Sequence, residues 1–377
     1  MTGDAQTFVE KVWARSVLLH RVHSGARDQL AGLLTLADAD ALLTGSGIRT
    51  PAIRVARDGA VLPESSFTRR GATMAGKPIT GLVDTRAILA EFDRGATIVF
   101  QGLHRYWPPL TDLVAELEAE LGHPCQANAY LTPPGAQGFA VHADSHDVFV
   151  FQTHGTKQWE LHPVGADGER AREEVLSEPG LVMYLPTGTP HAARAQDGVS
   201  LHVTIGINQL TWRSLVRQSV ATLLDAVGDE HLPAGYLGDP ALLREGLADR
   251  LSALADQVRA VDPDQAAAHQ VHRFLTSRNT RLRHGLVDLL AVRSRTSTTR
   301  LRPRRGSNCE RTDGPDPDRV TLLLGDRSIS VPAWLRPAVE QVRAATELCA
   351  DDLPIDQQSR LVLCRRLVRE GLLEVVG

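Results

Sequence analysis

His142 and Asp144 stand two residues apart, and His191 follows a turn framed by proline and glycine, Pro186-Thr-Gly-Thr-Pro190. Side chains at i and i+2 of a strand point to the same side. A strand through His142-Ala143-Asp144 would therefore hold an imidazole and a carboxylate against one ion, and a rigid turn would set a second imidazole opposite them. Two imidazoles and one carboxylate take one face of an octahedral metal and leave about three positions open, which suits non-haem Fe(II) and oxygen. Zinc or manganese would accept the same donors, and His146, His154, His162 and His202 are rival imidazoles. The plainer alternative is a His-x-Asp in a surface loop that holds no metal.

Lysine occurs only at Lys11, Lys77 and Lys157, with arginine supplying every other basic side chain. Lys157 opens the run Lys157-Gln-Trp-Glu-Leu161, in which alternation puts Lys157, Trp159 and Leu161 on one side. An ammonium facing a barrel interior is costly unless it meets an anion, and the carboxylate of a small co-substrate is the natural partner. The alternative is a lysine at a strand end whose head reaches water. Asn128 and Tyr130, again at i and i+2, line the same wall and offer hydrogen bonds, unless backbone groups claim them.

The elements that must carry these residues lie between Cys125 and Ile207. Short apolar runs (Gln126–Leu131, Gly138–His142, Val148–Gln152, Lys157–Leu161, Leu181–Leu185, Leu201–Ile207) alternate with turn clusters. Evenly spaced short strands with such punctuation predict a small antiparallel β-barrel. Before it, Phe8 to Val22 reads as a short helix running into a strand, and Leu30 to Leu43 as one helix closed by Gly45 and Gly47. Alternation over Pro51 to Val61, with Asp58-Gly59 as the turn, predicts a hairpin. Leu110, Leu113, Val114, Leu117 and Leu121 mark a helix ended by Gly122.

Beyond Leu210 the pattern turns helical. Leu243, Leu247, Leu251, Leu254, Val258 and Val261 step by three and four; such a stripe faces a core or, alternatively, a second copy of the chain. Ser294 to Pro317, with Arg295, Arg300, Arg302, Arg304, Arg305 and Arg311, reads as a solvated basic linker, since aromatic stacking residues for RNA are missing. Arg319 to Gly377 alternates strand and helix as a small winged-helix-like domain would.

At 377 residues the chain has room for two or three domains. Hydrophobic residues make up 42% and charged ones 23%, and the net charge of −4 gives no pull toward nucleic acid or anionic membrane. No apolar run reaches the ~18 residues of a spanning helix, and the polar, acidic start is unlike a leader peptide. A cytoplasmic location is expected. Cys125, Cys309, Cys349 and Cys364 are scattered without zinc-like spacing and read as buried thiols.

The segment Asn128-Ala-Tyr-Leu-Thr-Pro-Pro-Gly-Ala-Gln-Gly-Phe-Ala-Val-His142-Ala-Asp144, continued by Ser-His-Asp-Val-Phe-Val-Phe-Gln152 and Gly155-Thr-Lys-Gln-Trp159, closely resembles the JmjC ribosomal-oxygenase group, or cupin-4 family. Phe8-Val-Glu-Lys-Val-Trp13 and Gly95-Ala-Thr-Ile-Val-Phe-Gln-Gly-Leu-His104 are similar to that family's motifs as well. The likeness is strong from about residue 5 to 210, and beyond that it rests on the order of domains. It implies an α+β architecture: a double-stranded β-helix over residues 1–210, a helical dimerisation region over 211–293, and a linker with a winged-helix-like domain over 294–377. It implies that His142, Asp144 and His191 bind Fe(II), and that Lys157, with Tyr130 beside it, pairs with the distal carboxylate of 2-oxoglutarate. Asn128 and His202 would complete that pocket.

The function implied is hydroxylation of an arginine or histidine side chain in a ribosomal protein by a homodimer, with decarboxylation of 2-oxoglutarate to succinate. The same chemistry on a precursor peptide or small molecule is the second enzymatic reading. A cupin adaptor that binds metal without turnover is the non-enzymatic one. Nucleic-acid binding is motivated by the arginines near 300 and opposed by the net charge.

Overall fold

Along the strand Cys125–Thr132, Ala127, Ala129 and Leu131 join a large apolar core, while Asn128 and Tyr130 face a cavity on the other side. That division runs through the whole first unit of the computed structural model. The model describes residues 2–71, 73–137, 140–164, 171–280, 282–294, 296–313 and 316–376, and separates into units Met1–Gln209 and Leu210–Gly377.

In the first unit α1 (Ala5–Thr7) continues as a π turn over Phe8–Val12 toward β1 (Leu18–Arg21), α2 (Ser24–Ala31) and α3 (Leu36–Gly45). Next come β2 (Ile53–Arg57), β3 (Ala60–Val61), β4 (Thr73–Met74), β5 (Lys77–Pro78), α4 (Thr85–Asp93), β6 (Thr97–Phe100) and α5 (Pro108–Leu121). The strands that frame the cavity are β7 (Cys125–Thr132), β8 (Asp147–His154), β9 (Lys157–Leu161), β10 (Glu173–Ser177), β11 (Leu181–Leu185), β12 (His191–Ala195) and β13 (Ser200–Ile207). An eight-stranded antiparallel sheet runs β1-β11-β8-β13-β7-β6-β2-β3, and a three-stranded sheet runs β10-β9-β12.

Period-two alternation gives the large sheet two chemistries. Phe149 and Phe151 of β8 and Leu201, Val203, Ile205 and Ile207 of β13 pack with Ile88 of α4 and with Leu110 and Val114 of α5. Each such side chain contributes about 1.5–3 kcal/mol on burial. From the opposite face Val148, Val150, Leu181, Met183 and Leu185 meet Trp159 and Leu161 of the small sheet. The polar cavity lies beside this second, smaller core.

Gly155, in the β8–β9 turn, has φ +64°, and a Cβ there would sit 2.0 Å from the Val199 carbonyl oxygen. Gly155→Ala is therefore expected to destabilise the unit by more than the roughly 1–2 kcal/mol of a left-handed alanine. An unchanged thermal midpoint would contradict this.

Several expectations are corrected. Leu30 to Leu43 is two helices: Thr35 caps a new one, its side chain accepting from Asp38 N–H while the Asp38 carboxylate accepts from Thr35 N–H. The run Gly138–His142 is not a strand where it is described; Gly138 and Phe139 lie outside the described residues, and Ala140 to Asp144 is a loop with one bridge, His142 to His191. Cys125 and Cys364 are buried, but Cys309 and Cys349 are partly exposed. Strands β10 and β12 were not anticipated. Glu-Glu-Val-Leu-Ser and His-Ala-Ala-Arg-Ala have few β-branched residues, and register against β9 makes them strands.

The second unit begins with α6 (Trp212–Asp225), α7 (Ala241–Arg259), α8 (Pro263–Phe274) and α9 (Gly285–Ser294). It ends with β14 (Leu301–Pro303), β15 (Glu310–Asp313), β16 (Arg319–Leu323), β17 (Ser328–Pro332), α10 (Arg336–Ala344), α11 (Gln357–Arg369) and β18 (Leu373–Val375). The α7 stripe meets no core in the single chain: α7 has no buried residue, and Leu247, Leu251 and Val258 are exposed. Where it is described, the expected linker is folded. β14 pairs with β18 and β15 with β16, and buried Arg304 bonds Asp288 of α9 at 2.7 Å. A buried guanidinium needs such partners, which is why this arginine-rich stretch is not a solvated spacer.

Candidate metal centre

His142, Asp144 and His191 each present a ligand atom, all within 4.8 Å of one another. Their convergence comes from backbone pairing. His142 N–H donates to the His191 carbonyl at 3.0 Å, His191 N–H returns the bond at 2.7 Å, and Gly188 N–H donates to the Asp144 carbonyl at 2.9 Å. The Asp144 Oδ2 to His191 Nε2 distance is 3.7 Å. The trio comes together as the notched edge between a loop and the start of β12, not as two positions on a strand.

Both imidazoles are oriented for a metal. His142 Nδ1 lies 2.9 Å from the Ala140 carbonyl, and His191 Nδ1 lies 2.9 Å from the Thr189 carbonyl. A carbonyl accepts only, so each Nδ1 carries the proton and each Nε2 keeps its lone pair, as in metal-ligating histidines. Burial, with His142 close by, depresses the pKa of His191, favouring the neutral ligand form. The donor set fits a divalent transition metal.

The cavity beside the trio holds about 660 Å³ of empty space including its mouth. Lys157 is 3% exposed, and its ammonium donates to Thr132 Oγ1 at 2.9 Å, which also receives the Thr97 hydroxyl at 3.1 Å. Burial pushes its pKa down to about 7. No carboxylate pairs with it among the described residues lining the cavity, where Asp144 is the one acid. Such an ammonium fits an incoming anion.

Tyr130 and His202 are cross-strand partners stacked at 4.8 Å and 4°. Burial and the Asp144 charge raise the Tyr130 pKa, whereas burial, with Lys157 nearby, holds His202 well below its ordinary value. Asn128 Oδ1 accepts from Gly102 N–H at 2.9 Å, so part of its capacity is spent on the backbone. Sequence reasoning missed Thr132 and Thr97, which seat Lys157, and the polar end of Trp159. The indole Nε1 of Trp159 and Nδ1 of His202 are buried without a partner among the described residues, and both side chains line this cavity. Their inward register at i+2 from Lys157 and opposite Tyr130 was the available signal. Of the rival histidines, His162 bonds Glu160 at 2.9 Å and His154 is exposed at the end of β8. His146 lines the cavity against Gly206 but is not one of the three convergent donors.

A JmjC domain model matches residues 108–215. The chain is similar to mouse ribosomal oxygenase 2, 31% identical over 193 residues, covering 45% of this chain and 42% of that one. It is 26% identical to human ribosomal oxygenase 1 over 244 residues, covering 60% and 36%. The chain thus spans about two fifths of the length of the curated relatives it matches. A solved structure of the Escherichia coli ribosomal oxygenase YcfD, in complex with cobalt and 2-oxoglutarate, superposes with TM-score 0.53 and 15% identity over 99% of this chain and 98% of that one, a likeness of fold.

Proposed function

We propose that this chain, which carries a JmjC domain homologous to that of the ribosomal oxygenases, is an Fe(II)- and 2-oxoglutarate-dependent hydroxylase acting on a ribosomal protein. The observation that carries the reading is one cavity with a His-Asp-His trio at its edge and, in its wall, a buried ammonium that meets no carboxylate among the described residues. When bound, Fe(II) and 2-oxoglutarate supply oxygen activation coupled to co-substrate decarboxylation.

The chain's own residues do the rest. His142, Asp144 and His191 would hold the metal through Nε2 and carboxylate oxygen. Lys157, steadied by Thr132, receives the distal carboxylate, and Tyr130, Asn128 and His202 line the path between. The apolar wall of Val148, Val150 and Trp159 keeps water away from the reacting end. The substrate side chain in this reading is an arginine or histidine, as the family resemblance implies. Mass spectrometry of ribosomal proteins from cells with and without this gene tests it. A gain of one oxygen atom on an arginine or histidine is expected; unmodified ribosomal proteins in both strains would move the activity to a peptide or small molecule.

The domain plan extends the reading. The second unit contributes a helical dimerisation region and a winged-helix-like end, and the exposed Leu247, Leu251 and Val258 of α7 are covered by a second copy. Leu251→Glu is expected to convert a dimer to a monomer in analytical ultracentrifugation; a wild-type monomer would contradict this. No helix among the described residues is long and apolar enough to cross a membrane.

A further inference from the structure

Three residues beyond Asp144, at the start of β8, Asp147 is 1% exposed and has no part in the chemistry above. Its Oδ1 accepts Thr187 N–H at 2.8 Å, the Thr187 hydroxyl at 2.7 Å and an N–H of Gln209. Its Oδ2 accepts the Tyr184 hydroxyl, whose oxygen accepts Ala14 N–H at 2.8 Å. Asp147 and Tyr184 are both buried, so loss of the carboxylate would leave the Tyr184 hydroxyl without its acceptor out of reach of water.

The place of these bonds matters more than their number. Thr187 belongs to the turn Pro186–Pro190 that delivers His191, and Thr189 of that turn supplies the carbonyl that orients the His191 ring. Asp147 belongs to the arm that delivers His142 and Asp144. The two arms also touch through Gly188 N–H and the Asp144 carbonyl.

We infer that Asp147 is a positioning residue that staples the His142–Asp144 arm to the His191 turn and so sets metal affinity. This rests on the metal reading of the trio. The staple explains how ligands from a loop and a strand start keep a fixed spacing without a strand to hold the first pair. Metal-site partners beyond the ligands usually change affinity by about 10- to 100-fold.

The test is a Co(II) titration of the full chain, followed by visible absorption, for wild type, Asp147→Asn, Thr187→Ala and Val203→Ala. Val203 lies in the core on the face of the sheet away from the cavity, so its variant loses stability without touching the staple. Asp147→Asn is expected to bind Co(II) about 10- to 100-fold more weakly, with an altered spectrum. Thr187→Ala, on an exposed side chain, should show a smaller loss in the same direction, and it decides the matter if Asp147→Asn does not fold. Wild-type affinity and spectrum in the staple variants would overturn the inference while leaving the metal site standing. An equal loss in Val203→Ala at matched thermal midpoint would also overturn it. Failure of the wild type to bind Co(II) would remove the metal reading itself and this inference with it.

Discussion

His142→Ala is expected to abolish succinate formation from 2-oxoglutarate while leaving the chain folded. The His142 side chain is exposed, and alanine keeps the backbone N–H and carbonyl that pair with His191. Removing it takes away one of three donors and leaves an imidazole and a carboxylate, too few to hold a divalent ion against water in a fixed geometry. Turnover should fall below detection, with the thermal midpoint of the metal-free protein little changed. Continued turnover would take His142 out of the site and leave the rivals that line the cavity, His146 and His202, to be tested in its place.

Lys157 carries the second large effect. Lys157→Ala should raise the 2-oxoglutarate KM by roughly 10- to 150-fold, the worth of a hydrogen bond to a charged group at about 1.5–3 kcal/mol. Metal affinity should stay as it is, because Lys157 bonds Thr132 and none of the trio. The same lysine sets a pH dependence. Burial brings its folded pKa down to about 7 from the ordinary lysine value of 10.5, so between those limits the unfolded chain holds a proton that the folded one has released. Stability of the co-substrate-free protein from this group therefore rises with pH from about 7 to about 10.5, the burial cost being fully present below 7. Binding of a dianion restores the proton, so co-substrate affinity should decline as pH rises above about 7, and Lys157→Ala should flatten that decline. Equal KM values for wild type and Lys157→Ala would contradict the assignment.

Much of this site was legible because chemistry restricts its residue types. A lysine spared in an arginine-rich chain and placed at i+2 from Trp159 pointed into a pocket, and the structure has it buried there. Alternation in β7 likewise separated Asn128 and Tyr130 from the apolar residues between them, while His202 was reached through the family resemblance alone.

What could not be read depended on tertiary contacts. The His142-Ala143-Asp144 segment looks like a strand in sequence, yet it pairs only at His142, through a single bridge to His191 far along the chain, and is otherwise a loop. Arg304 sits in a composition that reads as solvated, and only its approach to Asp288 makes it a core residue. The stripe on α7 marks an apolar face, but periodicity does not say whether that face meets its own chain. Asp147 passed unnoticed because an acid after a histidine carries no local signal, and its partners at 184, 187 and 209 are distant in sequence.

The most direct measurement is anomalous diffraction from crystals of the full chain grown with Mn(II) and 2-oxoglutarate. A single strong peak is expected, bonded to His142 Nε2, a carboxylate oxygen of Asp144 and His191 Nε2, with the co-substrate reaching from that ion to the Lys157 ammonium. A peak held by other side chains, or a 2-oxoglutarate whose distal carboxylate lies away from Lys157, would contradict it.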